Sequence, residues 1–141
     1  MTPPVREQRN SYKGSWPRAW LRIQLVALGR VAVQDIDVLV DTGSTCSMIV
    51  STATMARFGV HTGRPPTPSN FGALIPALLH LVIPDVGYDD WVEAYENDTA
   101  VAEAKKSSPD FEGLLGLPLL RQFEYGGDAT SFWLRPAGNT P

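Results

Sequence analysis

The 141-residue chain is poor in the residues that staple, span or chelate. It has one cysteine, Cys46, so no internal disulfide can form, which fits a reducing compartment and an expected cytoplasmic location. Only two histidines are present, and none of the His, Cys or carboxylate spacings is that of a metal site, so neither metal nor cofactor is expected. The longest apolar run, Phe71 to Ile83, is broken by Pro76 and His80 and is too short to cross a bilayer. Met1 to Gly14 is polar, and no secretory leader is expected there.

Charge is also sparse, at 19% of residues, and uneven. Residues 1–30 carry six basic and one acidic residue, a net +5, and the remainder six basic and fourteen acidic, a net −8. The basic part reads as a solvated tail and first strand, so no nucleic-acid partner is expected. The acidic stretch Asp89 to Glu103 reads as a solvated face. Apolar residues make up 43%, enough for one globular domain that buries about two-thirds of its unfolded surface.

What the chain does have is a β-branched run, Ile36 to Val40, ending in Asp41-Thr42-Gly43-Ser44-Thr45. Such a run reads as a buried strand. An acid at its end is costly to bury without partners, which points to chemistry. Gly43 permits a tight bend, and Ser44 and Thr45 supply uncharged donors. Downstream, Glu112-Gly113-Leu114-Leu115-Gly116-Leu117-Pro118 leads from a strand into a short helix, with Gly116 lying 75 positions after Asp41.

In that order and at that separation, the two segments resemble the signatures of retropepsin-like, single-lobe aspartic proteases, from about Trp20 to Pro136. The resemblance implies a mostly β fold, a closed acid-protease barrel with one or two short helices, spanning residues 18–136. A disordered tail over 1–17 and a C-terminal tail over 137–141 are expected on either side. It implies an aspartic endopeptidase. Asp41 would be the acid and base, Thr42 would bond across a two-fold axis, Gly43 would allow close approach, and Ser44 would bond the outer oxygen of Asp41. Leu114, Leu115 and Gly116 would pass beneath the loop. Asn70 and Gly72 are the candidates for a substrate-covering flap in the Pro-rich stretch His61 to Asn70. The chain carries one such acid motif, so the active form would be a homodimer acting on peptide or protein.

Competing readings are a non-catalytic peptide-binding or dimerisation module on the same fold, and a monomer in which Asp-Thr-Gly is a simple turn. A phosphoryl-transfer ATPase requires lysine directly after the aspartate, and position 42 is Thr. Asp85-Val86-Gly87 lacks following hydroxyls and reads as a turn, and Cys46, without a local base, as a small packing residue. Locally, Trp20–Val26 reads as an alternating strand, Val31–Val40 as its partner broken near Gln34-Asp35, Ser51 as the cap of a helix over 52–58, and Gly126-Gly127 as the turn of a final hairpin.

Overall fold

The computed structural model describes residues 6–138. Strand outweighs helix by 51% to 19%, so the fold is mostly β. Six strands close a barrel: β2 (Trp20–Val26), β3 (Val33–Asp41), β9 (Phe111–Gly116), β4 (Met48–Val50), β8 (Tyr88–Glu96) and β7 (Gly72–Ile83), with β7 pairing back onto β2. β3–β9 and β4–β8 are parallel, and the other barrel pairs are antiparallel. Short strands β5 (Val60–His61) and β6 (Thr67–Ser69) flank β7. Among the described residues three α-helices decorate the barrel, one more than expected: α1 (Thr52–Phe58), α2 (Asp98–Lys105) and α3 (Leu117–Leu120).

Residue pattern explains the layers. β2 alternates, with Leu21, Ile23 and Leu25 fully buried and Arg22 exposed, so it has one wet face. β3, β4 and β9 do not alternate because both their faces are covered. Val38, Val40, Met48, Val50 and Leu115 fill the barrel interior. Leu39, Ile49 and Leu114 point outward, beneath Ala100, Val101 and Ala104 of α2. At about 25 cal/mol per Å² of apolar surface, each such leucine or valine contributes on the order of 2 kcal/mol.

Several local expectations match. Ser51 Oγ accepts from Thr54 N–H at 3.1 Å and caps α1, and Gly59 follows its last residue. Pro118 sits in the first turn of α3, where its missing N–H costs nothing. Asp85-Val86-Gly87 lies in a 3-10 turn closed by Gly87.

Others are corrected. β3 is continuous through Gln34 and Asp35, which pair with Leu25 and Gln24. The last hairpin, β10 (Phe123–Gly127) and β11 (Ser131–Pro136), turns at residues 128–130, not at Gly126-Gly127, because Asp128 Oδ1 gathers the Thr130 and Ser131 N–H groups. Residues 6–17 are ordered rather than a free tail, so the domain begins before position 18. β1 (Gln8–Ser11) forms a side sheet in the order β1-β11-β10. Its polar residues are structural. The Gln8 side chain, only 6% exposed, donates to Arg22 O at 2.8 Å and accepts from Arg22 N–H at 2.6 Å, while Asn10 Nδ2 donates to Trp20 O. Side-chain amides thus do a strand's work at β2. Trp16 anchors nothing at 79% exposure, whereas Trp20 Nε1 donates to Ser11 O. Residues 1–5 and 139–141 of the expected tails lie outside the described residues.

Among the described residues no helix is long and apolar enough to cross a membrane.

Candidate active site

Asp41 is the last residue of β3, and its backbone lies in parallel register with Gly116. Two flanking strands, β2 and β9, therefore set its direction. After it the chain turns sharply, with Ser44 N–H donating to Asp41 O at 3.1 Å and Gly43 N–H to Asp41 Oδ1 at 3.0 Å. The loop then settles on the β9–α3 corner. Gly116 N–H donates to Ser47 O at 2.9 Å, and Leu117 N–H to Ser44 O at 3.2 Å. A Cβ at Gly116 would overlap the Cys46 carbonyl oxygen, so only glycine allows this closeness. Leu114 and Leu115, paired with Leu39 and Val40, tie the corner into the wall.

Asp41 is half-buried, and Thr42, Gly43 and Thr45 are exposed. The geometry separates the four motif residues. Asp41 has the single side-chain hydrogen bond from Gly43. Ser44 Oγ does not bond Asp41. It is turned to Cys46, accepting from its N–H at 3.2 Å, because the tight turn points the hydroxyl forward along the loop. Thr42 makes no side-chain hydrogen bond among the described residues. A Cβ at Gly43 would meet only Asp41 Oδ1, at an ordinary 3.4 Å, so nothing within one chain demands glycine there.

Asp41 borders two hollows. One, of about 240 Å³, has Cys46, Ile49 and Leu114 in its floor and Asn70, Phe71 and Leu74 in its roof. The roof is the β6–β7 hairpin, turning at Asn70-Phe71 between the paired Ser69 and Gly72. Gly72 has φ of +98°, which a side chain would strain, and it starts β7 without lining the cleft. Asn70 does line it. The Pro-rich stretch thus contains a hairpin over the acid rather than a plain loop. The second hollow, of about 430 Å³, is bordered by Tyr12, Arg18, Thr42 and Phe132.

Among the described residues Asp41 is the one carboxyl lining the roofed cleft, whose remaining walls are apolar or neutral. Burial pushes the Cys46 thiol up, which disfavours its thiolate near neutral pH. A larger hollow of about 550 Å³ lies away from Asp41, beside Asp35, Asp37 and Asp110. Its least exposed acid, Asp37, is already paired with Lys13 and Arg22. Among the described residues no group of three or more His, Cys, Asp or Glu is placed to hold a metal.

Sequence reading did not foresee Ile49, Phe71 and Leu74 as cleft residues, nor Asn97 as the residue behind the roof. Their signal was weak, since each looks like an ordinary core or cap position until the strands are folded together. The chain matches no protein-family model and no curated protein.

Proposed function

We propose that the chain is one half of a homodimeric aspartic endopeptidase, of the retropepsin-like kind its two motifs resemble. The observation that carries this reading is the placement of Asp41, at a strand end locked to the Leu114–Gly116 corner and beneath a hairpin that roofs an otherwise uncharged cleft.

Peptide hydrolysis at such a site needs two carboxylates sharing one proton. The ionised one accepts a proton from water as the water oxygen bonds to the peptide carbonyl carbon. The protonated one donates to the carbonyl oxygen. Collapse of the tetrahedral species breaks the C–N bond, and a proton passes to the departing amine. Two like charges held close cannot both ionise, which keeps the pair singly protonated across an acidic window. One chain offers one such acid, so the second comes from a second copy about a two-fold axis. The exposure of Thr42 and Gly43 accords with an opposing copy of the same loop.

The test is cleavage of a mixed peptide library between pH 4 and 7 by the parent and by Asp41→Asn. Turnover by the parent and loss of at least about a thousandfold in the variant, with unchanged circular dichroism, is the expected outcome. Equal turnover by both proteins, or peptide binding by the parent with no turnover at any pH, would discard the peptidase reading.

A further inference from the structure

The roof of the cleft is fastened from behind by one side chain. Asn97 directly follows the last residue of β8 and is the N-cap of α2. It is 8% exposed, and every hydrogen-bonding atom of its amide is used. Its Oδ1 accepts from Ala100 N–H at 2.9 Å, which caps the helix. Its Nδ2 donates to Phe71 O at 3.2 Å and to Ala73 O at 3.0 Å, one at the turn of the β6–β7 hairpin and one in its returning strand. Its backbone N–H donates to Val50 O at 3.0 Å, on the strand that leaves the Asp41 loop. One residue therefore joins the roof, the helix and the floor.

We infer that Asn97 is a positioning residue, a latch that holds the β6–β7 hairpin down over the Asp41 cleft. The hairpin tip is otherwise lightly held. Ser69 Oγ bonds only within the turn, to Phe71 N–H and Gly72 O, and the Phe71 side chain is 42% exposed. Lifting the tip breaks both Asn97 donations and leaves a buried amide unpaired until water reaches it, so the closed state is favoured. The two halves of the amide have separable jobs. The oxygen serves the helix, and the nitrogen serves the roof.

That separation gives the experiment. Asn97→Ser and Asn97→Asp both keep a good N-cap oxygen and remove the Nδ2 amide group that donates to the hairpin. Amide hydrogen exchange of the full chain is compared across residues 67–75 and across 101–105. The expected result is exchange about tenfold faster in the hairpin, with α2 unchanged, the size of effect two lost hydrogen bonds carry. Unchanged hairpin exchange, or exchange in α2 that rises as much as in the hairpin, overturns the latch. Should neither variant fold, the parent decides. NOE cross-peaks from the Asn97 Nδ2 protons to the Phe71 and Ala73 main chain support it, and their absence overturns it.

The consequence for catalysis rests on the peptidase reading. If the parent cleaves peptides, the variants raise KM several-fold with kcat within about twofold, because the competent closed state is less populated. A parent that cleaves nothing defeats the peptidase reading alone, since hydrogen exchange still decides the latch.

Discussion

Asp37 lies four residues before Asp41 on the same strand, and its carboxylate is gripped by Lys13 Nζ at 2.7 Å and Arg22 Nε at 2.8 Å. Burial pushes this carboxyl up, but the hydrogen bonds from Arg22 and Lys13 outweigh it and hold it below its usual value. A depressed folded-state value means that the pairing stabilises fully above about pH 4 and fades as pH falls through the depressed value. Asp37→Asn removes both pairings, leaving Lys13 its longer 3.6 Å contact with Asp110 and Arg22 to solvent, and is expected to cost about 1–2 kcal/mol at pH 7. Urea melts at pH 7, 4 and 2.5 check this, with the parent and variant converging at the lowest pH. A gap that stays constant with pH would remove Asp37 from the account. Gly116 presents a steric rather than an electrostatic demand. Gly116→Ala pushes a methyl into the Cys46 carbonyl and is expected to cost about 1–3 kcal/mol or more, read as a lowered Tm together with lost cleavage. A Tm unchanged within 1 °C, taking about 3 °C per kcal/mol, would contradict the close packing of loop on corner.

At the scale of elements, the side sheet and the barrel meet through side chains rather than a shared ladder. β1 pairs with β11 from Gln8↔Leu134 to Ser11↔Ser131, yet it reaches β2 through the Gln8 and Asn10 amides. Gln8→Leu keeps the bulk and leaves the Arg22 N–H and C=O without partners. A loss of about 2–3 kcal/mol is expected, with Arg22 amide exchange faster by tenfold or more. Unchanged exchange at Arg22 would show that β2 needs no such cover. β3 and β9 behave differently, because their pairing is parallel and joins segments far apart in the chain. Such pairing has to be formed by tertiary closure and has no local turn to set its register.

At the scale of the whole molecule, the peptidase proposal makes the monomer incomplete. A chain of 15.4 kDa is expected to sediment at twice that mass under conditions of activity, and specific activity is expected to fall on dilution. Mixing parent with a fourfold excess of Asp41→Asn gives mixed pairs holding one competent acid. Activity per parent chain is then expected to drop to about one-fifth under free exchange, since only that fraction of parent chains meets another parent. Activity that is indifferent both to dilution and to the mixing would mean that one chain suffices, and the two-fold proposal would fall.

Local chemistry was readable where neighbours in sequence supply the partners. The alternation in β2, the Ser51 cap of α1, the Pro118 start of α3 and the acid at the end of β3 all depend on residues a few positions apart. Motif order also placed Leu114, Leu115 and Gly116 beside Asp41. Within the tail expected over 1–17, residues 6–17 look solvated in sequence because polar amides find structural partners only when a bare strand edge is present for them to bind. The Ser44 hydroxyl was assigned to Asp41, yet the tight turn aims it at Cys46. Nothing near Asn97 in the chain shows that its amide would hold a hairpin some 25 residues earlier. Short-range hydrogen bonds and side-chain periodicity are properties of the chain order. Which buried amide meets which carbonyl depends on barrel closure, because only closure brings those distant groups within reach and excludes the water that would otherwise satisfy them.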